Sequence, residues 1–211
     1  MRATRDENKH DAYPLALSSH RMISVLAFAK AAYLFAPLFV AALLSAVVLR
    51  FDLWRRLRVP IDGGKRWRGR RIFGDSKTWR GVVVAVVGCT VGVALQKYLI
   101  GPNRLAVVDY AQVSVVGLAL AMGIGARAGE LPNSFVKRQR GIAPGKTTSG
   151  PLALVFYVWD QVDLLIGAWP LLALWMPVER DVVLASFTLA LVVHPTVSLI
   201  GYLVGARRSA R

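Results

Sequence analysis

The chain has 211 residues, 55% of them hydrophobic and 18% charged, with a mean hydropathy of +0.46 and a formal net charge of +15. That apolar balance excludes an ordinary soluble domain of this size. The cations lie between apolar blocks and no nucleic-acid motif accompanies them, which argues against a nucleic-acid partner.

A membrane helix needs about 20 mostly apolar residues, and five segments qualify. A polar tail, residues 1–22, precedes the membrane domain at 23–206, and a basic tail closes the chain at 207–211. The first apolar segment is 23–49, interrupted by Lys30 and Pro37, and the second is 82–100. The third is 107–126, the fourth 152–176 with Asp160 and Asp163 inside it, and the fifth 182–204 with His194-Pro195 near its middle. The predicted fold is therefore all-α, a polytopic helical bundle of about five spans. Cys89 lies inside the second segment and reads as a small buried apolar residue. His194 reads as a hydrogen-bonded structural residue at a kink. Lys30 reads as snorkelling or facing the bundle interior, and Asp109 and Glu179 as outer-face residues without a role.

The connections differ sharply in basicity. Residues 50–80 hold eleven Lys or Arg, residues 127–146 hold five and the C-terminal tail three. The other connections hold Arg104, with Lys97 at a helix end, and Arg180. The positive-inside rule puts the basic regions in the cytoplasm. The N-terminus is then outside, the C-terminus inside, and the two large basic loops share one face of the cell (inner) membrane.

The first of these loops turns at Pro60-Ile61-Asp62-Gly63-Gly64-Lys65, where Pro and paired Gly break helices. It ends in Phe73-Gly74-Asp75-Ser76-Lys77-Thr78-Trp79-Arg80-Gly81. A helix beginning near Ser76, capped by Asp75 or Ser76, would put Lys77 and Arg80 on one face. A helix N-terminus beside two cations is a phosphate receptor. A cap with cations anchoring at the interface explains the same residues. The second loop carries Glu130 at the edge of the third span, then Ser134, Lys137 and Arg138 at helical spacing. That order suits a metal-bound phosphate, and it also suits a plain stop-transfer loop. Gly145-Lys146-Thr147-Thr148 resembles a piece of a phosphate-binding loop, but Arg140 stands where the upstream glycine belongs.

Trp159-Asp160-Gln161-Val162-Asp163 is the sharpest signal. A carboxylate within a membrane helix costs about 2.5–3.5 kcal/mol on insertion scales. Two of them three residues apart share a helix face and repel unless a cation joins them. Oxygen-only ligands of this kind suit Mg²⁺, which takes one or two carboxylates and completes its shell with substrate phosphates.

These clusters, in this order, resemble the CDP-archaeol synthase family of CTP-dependent phospholipid cytidylyltransferases, relatives of the CDP-diacylglycerol synthases. The likeness rests on Pro60 to Gly64, Gly69 to Gly81, Gly129-Glu130, Ser134 to Ile142 and Asp160 to Asp163. The family carries Asp where this chain has Glu130, and its Pro-rich stretch before the Asp pair is reduced here to Gly150-Pro151. The resemblance implies that CTP and a membrane lipid phosphate yield a CDP-lipid and pyrophosphate. It implies Mg²⁺ on Asp160, Asp163 and Glu130. Lys77, Arg80, Lys137 and Arg138 would neutralise the triphosphate, while Asp75, Ser76, Thr78 and Ser134 would bind substrate. The alternatives are CDP-diacylglycerol synthase activity on ester lipids, a catalytically inactive membrane scaffold, or a small transporter. The sequence is silent on oligomeric state.

Overall fold

The computed structural model describes residues 24–146 and 150–203. The tails at 1–22 and 207–211, Thr147, Thr148 and the side chain of His194 lie outside the described part.

Five long helices dominate: α1 (Val25–Arg50), α2 (Trp79–Ala94, continued by a π-helical stretch Leu95–Ile100), α3 (Val115–Gln139), α4 (Leu152–Leu172) and α5 (Arg180–Leu203). Among the described residues, α1, α2 with its π-helical extension, α3 and α4 are long and apolar enough to cross a membrane. Among the described residues, the departures from an all-α chain are a short hairpin, β1 (Arg66–Trp67) with β2 (Arg70–Arg71), and an isolated bridge between Pro60 and Thr78, all in the first basic loop.

Three starts are fixed by hydroxyl caps, each accepting from a backbone N–H three residues on: Ser24 from Ala27, Thr78 from Gly81 and Ser114 from Gly117. These caps correct the boundaries drawn from hydropathy. The third helix begins at Val115, not at 107, because Ser114 caps it and 107–114 forms turns. It also continues past 126 to Gln139, so Arg127 to Gln139 is helix and not loop. Pro132 sits inside it, and the charged residues on either side disguise the continuation. α4 ends at Leu172, four residues before the apolar run does.

α1 packs on α2, α2 on α3, α3 on α4, α4 on α5, and α5 returns to α1, so the helices close into a ring. Leu34, Phe35, Leu118, Met122, Trp169, Leu172 and Val182 fill its centre. Outward-facing Leu43, Val91, Leu154, Val155 and Ile166 stay exposed, as lipid-facing side chains must. Small residues set the closest approaches. A Cβ on Gly92 would lie 2.5 Å from the Cα of Pro37, and one on Gly125 would lie 2.7 Å from the carbonyl oxygen of Gly167.

Antiparallel order gathers the first basic loop, the end of α3 and the start of α4 at one end of the bundle. At the opposite end Lys30 donates to both carboxylate oxygens of Glu179, at 3.0 and 2.9 Å. Glu179, expected to have no role, therefore ties the start of α5 to α1 and neutralises the lysine.

Candidate active site

The first basic loop is built around Asp62, whose side chain is fully buried. Its carboxylate accepts from the N–H groups of Gly64, Phe73 and Gly74 at 3.0–3.1 Å and from Nη2 of Arg71 at 2.8 Å. Burial alone would raise its pKa. The Arg71 guanidinium and the three amides outweigh that and hold the carboxyl well below the usual carboxylate range. Gly64 and Gly74 adopt φ of +83° and +88°, where a side chain is strained, so these glycines let the loop close on Asp62. Val59 to Ile61 pairs with Lys77 to Trp79, with Ile61 N–H donating to the Lys77 carbonyl at 2.9 Å. Lys77 thus leaves from a clamped backbone.

Asp62→Ala is expected to cost the loop about 3 kcal/mol, because it strands a guanidinium and three amides; limited proteolysis between residues 62 and 75 would report it. The lowered pKa gives stability that is complete above pH 4, the unfolded carboxyl range, and is lost only as pH falls through the lower folded value. Loop protection should therefore persist to pH 4.

The side chain of Lys77 reaches across to α3 and pairs with Glu130. The other Glu130 oxygen accepts from Nη1 of Arg127 at 2.8 Å. Here the structure corrects the expected helix start. Thr78, not Asp75 or Ser76, is the N-cap. Lys77 precedes the helix, so Lys77 and Arg80 share no helix face. Arg80 points to the end of α1, where Nη1 donates to Asp52 at 2.7 Å and to the Leu53 carbonyl at 3.2 Å. Asp75 is exposed and accepts from Arg71 at 2.6 Å, and Ser76 is exposed.

One turn further along α3, Asn133 is 2% exposed, and its Nδ2 donates to both α4 acids: Asp160 Oδ1 at 2.6 Å and Asp163 Oδ2 at 3.0 Å. Lys137 pairs with the same Asp160 oxygen and lies 5.6 Å from the centre of the Phe156 ring. Asp163 is buried, while the Asp160 side chain is 45% exposed toward the loop end. Ser134 is buried on the same helix. Arg138 turns back to the loops, donating from Nε to the Phe73 carbonyl at 3.3 Å and from Nη1 to the Ile142 carbonyl. Gln139 adds a bond to the Arg71 carbonyl at 3.2 Å, which seats the hairpin on α3.

Of the candidate residues, Lys77, Glu130, Lys137, Asp160 and Asp163 therefore meet where α3, α4 and the first loop join. Arg80, Arg138 and Thr78 hold the surrounding backbone, while Asp75 pairs with the Arg71 side chain and Ser76 stays at the surface. Asn133, Arg127 and Asp62 escaped sequence reasoning as site-building residues. Asp62 was visible as part of a turn and of the Pro60 to Gly64 motif, with no role of its own. Asn133 sat in what hydropathy marks as loop, though its i, i+4 spacing to Lys137 was a usable signal.

The sequence matches the CarS-like CDP-archaeol synthase family over residues 22–209. This chain belongs to the CDP-archaeol synthase family. It is a CTP-dependent lipid cytidylyltransferase and an integral membrane protein. The CDP-archaeol synthase of Methanosphaerula palustris is 36% identical over 155 residues, covering 70% of this chain and 87% of that protein. That of Methanosarcina barkeri is 33% identical over 164 residues, covering 71% and 88%. A solved intramembrane enzyme for archaeal membrane lipid biosynthesis has a TM-score of 0.57 and 25% identity, over 79% of this chain and 91% of that one.

For a member of the CDP-archaeol synthase family, the arrangement is chemically apt. Both substrates are anionic, and Lys77, Arg127 and Lys137 line one end of the bundle, the first two sharing Glu130 and the third paired with Asp160. Two carboxylates and an amide offer hard oxygen donors, the set that a Mg²⁺ ion accepts when substrate phosphates and water complete its shell. Among the described residues no three His, Cys, Asp or Glu cluster, and Glu130, expected as a third metal ligand beside Asp160 and Asp163, is paired with Lys77 and Arg127 instead.

Proposed function

We propose that this chain transfers the cytidylyl group of CTP to a lipid phosphate with archaeol-type ether-linked tails, on the cytoplasmic face of the cell membrane, with Mg²⁺ held by Asp160 and Asp163. The observation that carries this reading is the meeting of the Lys77–Glu130–Arg127 cluster with the Lys137–Asp160–Asn133–Asp163 cluster at one end of the helix ring. The eleven cations of residues 50–80 at that same end support the cytoplasmic assignment.

A lipid phosphate oxygen attacks the α-phosphorus of CTP, and the bond from that phosphorus to the bridging β-phosphate oxygen breaks, releasing pyrophosphate. The nucleophile is already an anion, so no general base is needed. What the site must supply is charge neutralisation and in-line placement. Mg²⁺ on Asp160 and Asp163 would neutralise the nucleotide phosphates. Lys77 and Lys137 exchange their carboxylate partners for phosphate oxygens and stabilise the charge that builds on the leaving pyrophosphate. Glu130 fixes the positions of Lys77 and Arg127 before substrate arrives. Arg138, bonded to the carbonyls of residues 73 and 142, joins the two basic loops beside this site.

Purified protein given CTP, Mg²⁺ and either ether-linked or ester-linked lipid phosphate tests this directly. Pyrophosphate should be released with the ether lipid, stop on addition of EDTA, and resume with excess Mg²⁺. Preference for the ester lipid would move the substrate to the diacylglycerol class. Unchanged release in EDTA would remove the metal.

A further inference from the structure

Asn133 stands out among the polar groups of the bundle. It is 2% exposed, its Nδ2 bridges two carboxylates, and its own carbonyl oxygen Oδ1 is buried without a hydrogen-bond partner among the described residues. A buried amide oxygen left unpaired costs about 1–3 kcal/mol, so such an atom calls for an occupant. The orientation is set by charge: Nδ2 faces the acids because an oxygen in its place would face two carboxylates. The same amide thus offers a donor to an acid pair that would otherwise repel, and an oxygen close to that pair. Lys137 reaches only Asp160, so Asn133 is the group that links both acids.

We infer that Asn133 is a third oxygen donor of the cation site: its N–H group holds Asp160 and Asp163 together, and its Oδ1 takes its missing partner from the cation or from a water on it. The inference rests on the proposed metal reading and adds a specific residue to it. It separates two functions of one side chain, acid-pair retention and cation binding, and substitutions can divide them. Alanine loses both. Aspartate keeps an oxygen at the same place, loses the N–H bridge and sets a third acid beside the pair.

Mn²⁺ binding to the detergent-purified chain without CTP or lipid, read by the electron paramagnetic resonance signal of the free ion, separates these cases, with thermal unfolding followed in EDTA and in Mn²⁺. Asn133→Ala should weaken Mn²⁺ binding at least about tenfold, the size of loss expected for a group that tunes a metal site. Asn133→Asp should bind Mn²⁺ at least as tightly as the parent, and should gain more thermal stability from Mn²⁺ than the parent does. Parent-like Mn²⁺ binding in Asn133→Ala would overturn the inference and leave the amide a structural clamp, as would lost binding in a folded Asn133→Asp. A parent chain whose Mn²⁺ binding is absent, or unaltered by Asp160→Asn with Asp163→Asn, would overturn the metal reading itself and this inference with it.

Discussion

Asp160→Ala and Lys77→Ala will each lower kcat for pyrophosphate release by at least about 10²–10³-fold, the cost of removing one preorganised charge from a transition state. The two losses should differ in kind. Asp160 faces Lys137 and Asn133, so its removal leaves a lysine without its counter-charge and takes away half of the acid pair. Mg²⁺ dependence should then shift to higher concentration. Lys77 instead pairs with Glu130, whose other oxygen stays on Arg127. Its removal should raise the KM for CTP as well as lower kcat, because a triphosphate contact is already made in the ground state and strengthens as charge builds on the leaving pyrophosphate. Glu130→Gln is the informative companion. It frees Lys77 and Arg127 from a competing carboxylate, so CTP should bind at least as tightly while the cations lose their fixed positions. Steady-state kinetics of the variants at several Mg²⁺ concentrations decides the matter, and activity within tenfold of the parent in both alanine variants would sink the site assignment.

These expectations depend on pairings that differ in how well they can be read from sequence. Asp160 and Asp163 were legible because two acids inside an apolar run carry a cost that demands a partner. The basic loops were legible because charge bias sets orientation. The partner of Lys77 was not, since Glu130 lies 53 residues away and only the packing of α3 against the first loop joins them. The pairing of Lys77 with Arg80 failed for a local reason. Asp75 and Ser76 were the expected caps, and Thr78, which stands within the same four residues and is also a capping residue, was passed over. The Val59–Ile61 pairing with Lys77–Trp79 keeps the chain extended up to Thr78 and settles it. Asn133 was hidden by the opposite error. Pro132 and the charges at Lys137 and Arg138 suggest loop, yet α3 runs through them and aims residues 130, 133 and 137 at α4 and the first loop.

The largest structural effect is expected from one methyl group. Gly129→Ala should unfold or inactivate the protein, because a Cβ there would fall on the Asp163 carbonyl oxygen and within 2.7 Å of the Gly167 amide nitrogen. The obstacle is backbone, which cannot swing aside as a flexible side chain can. The alternative is separation of α3 from α4. Overpacking costs about 1–3 kcal/mol where side chains can yield, and this contact belongs at or above the top of that range. Separation would also strike the chemistry. Asn133 follows Gly129 by one turn of α3, and Asp163 precedes Gly167 by one turn of α4, so the bonds of 2.6 and 3.0 Å to Asp160 and Asp163 span the same seam. A shift of about 1 Å takes both beyond hydrogen-bond length. Gly81→Ala is the control: its Cβ would meet only the Thr78 hydroxyl, at 3.9 Å, and a helical Ala gains up to about 1 kcal/mol over Gly. Thermal unfolding in detergent, with pyrophosphate release measured in parallel, should place Gly129→Ala far below the parent and Gly81→Ala at or above it. A Gly129→Ala protein with parental Tm and activity would show that the α3–α4 seam is looser than its glycines imply, and that the acid pair does not depend on it.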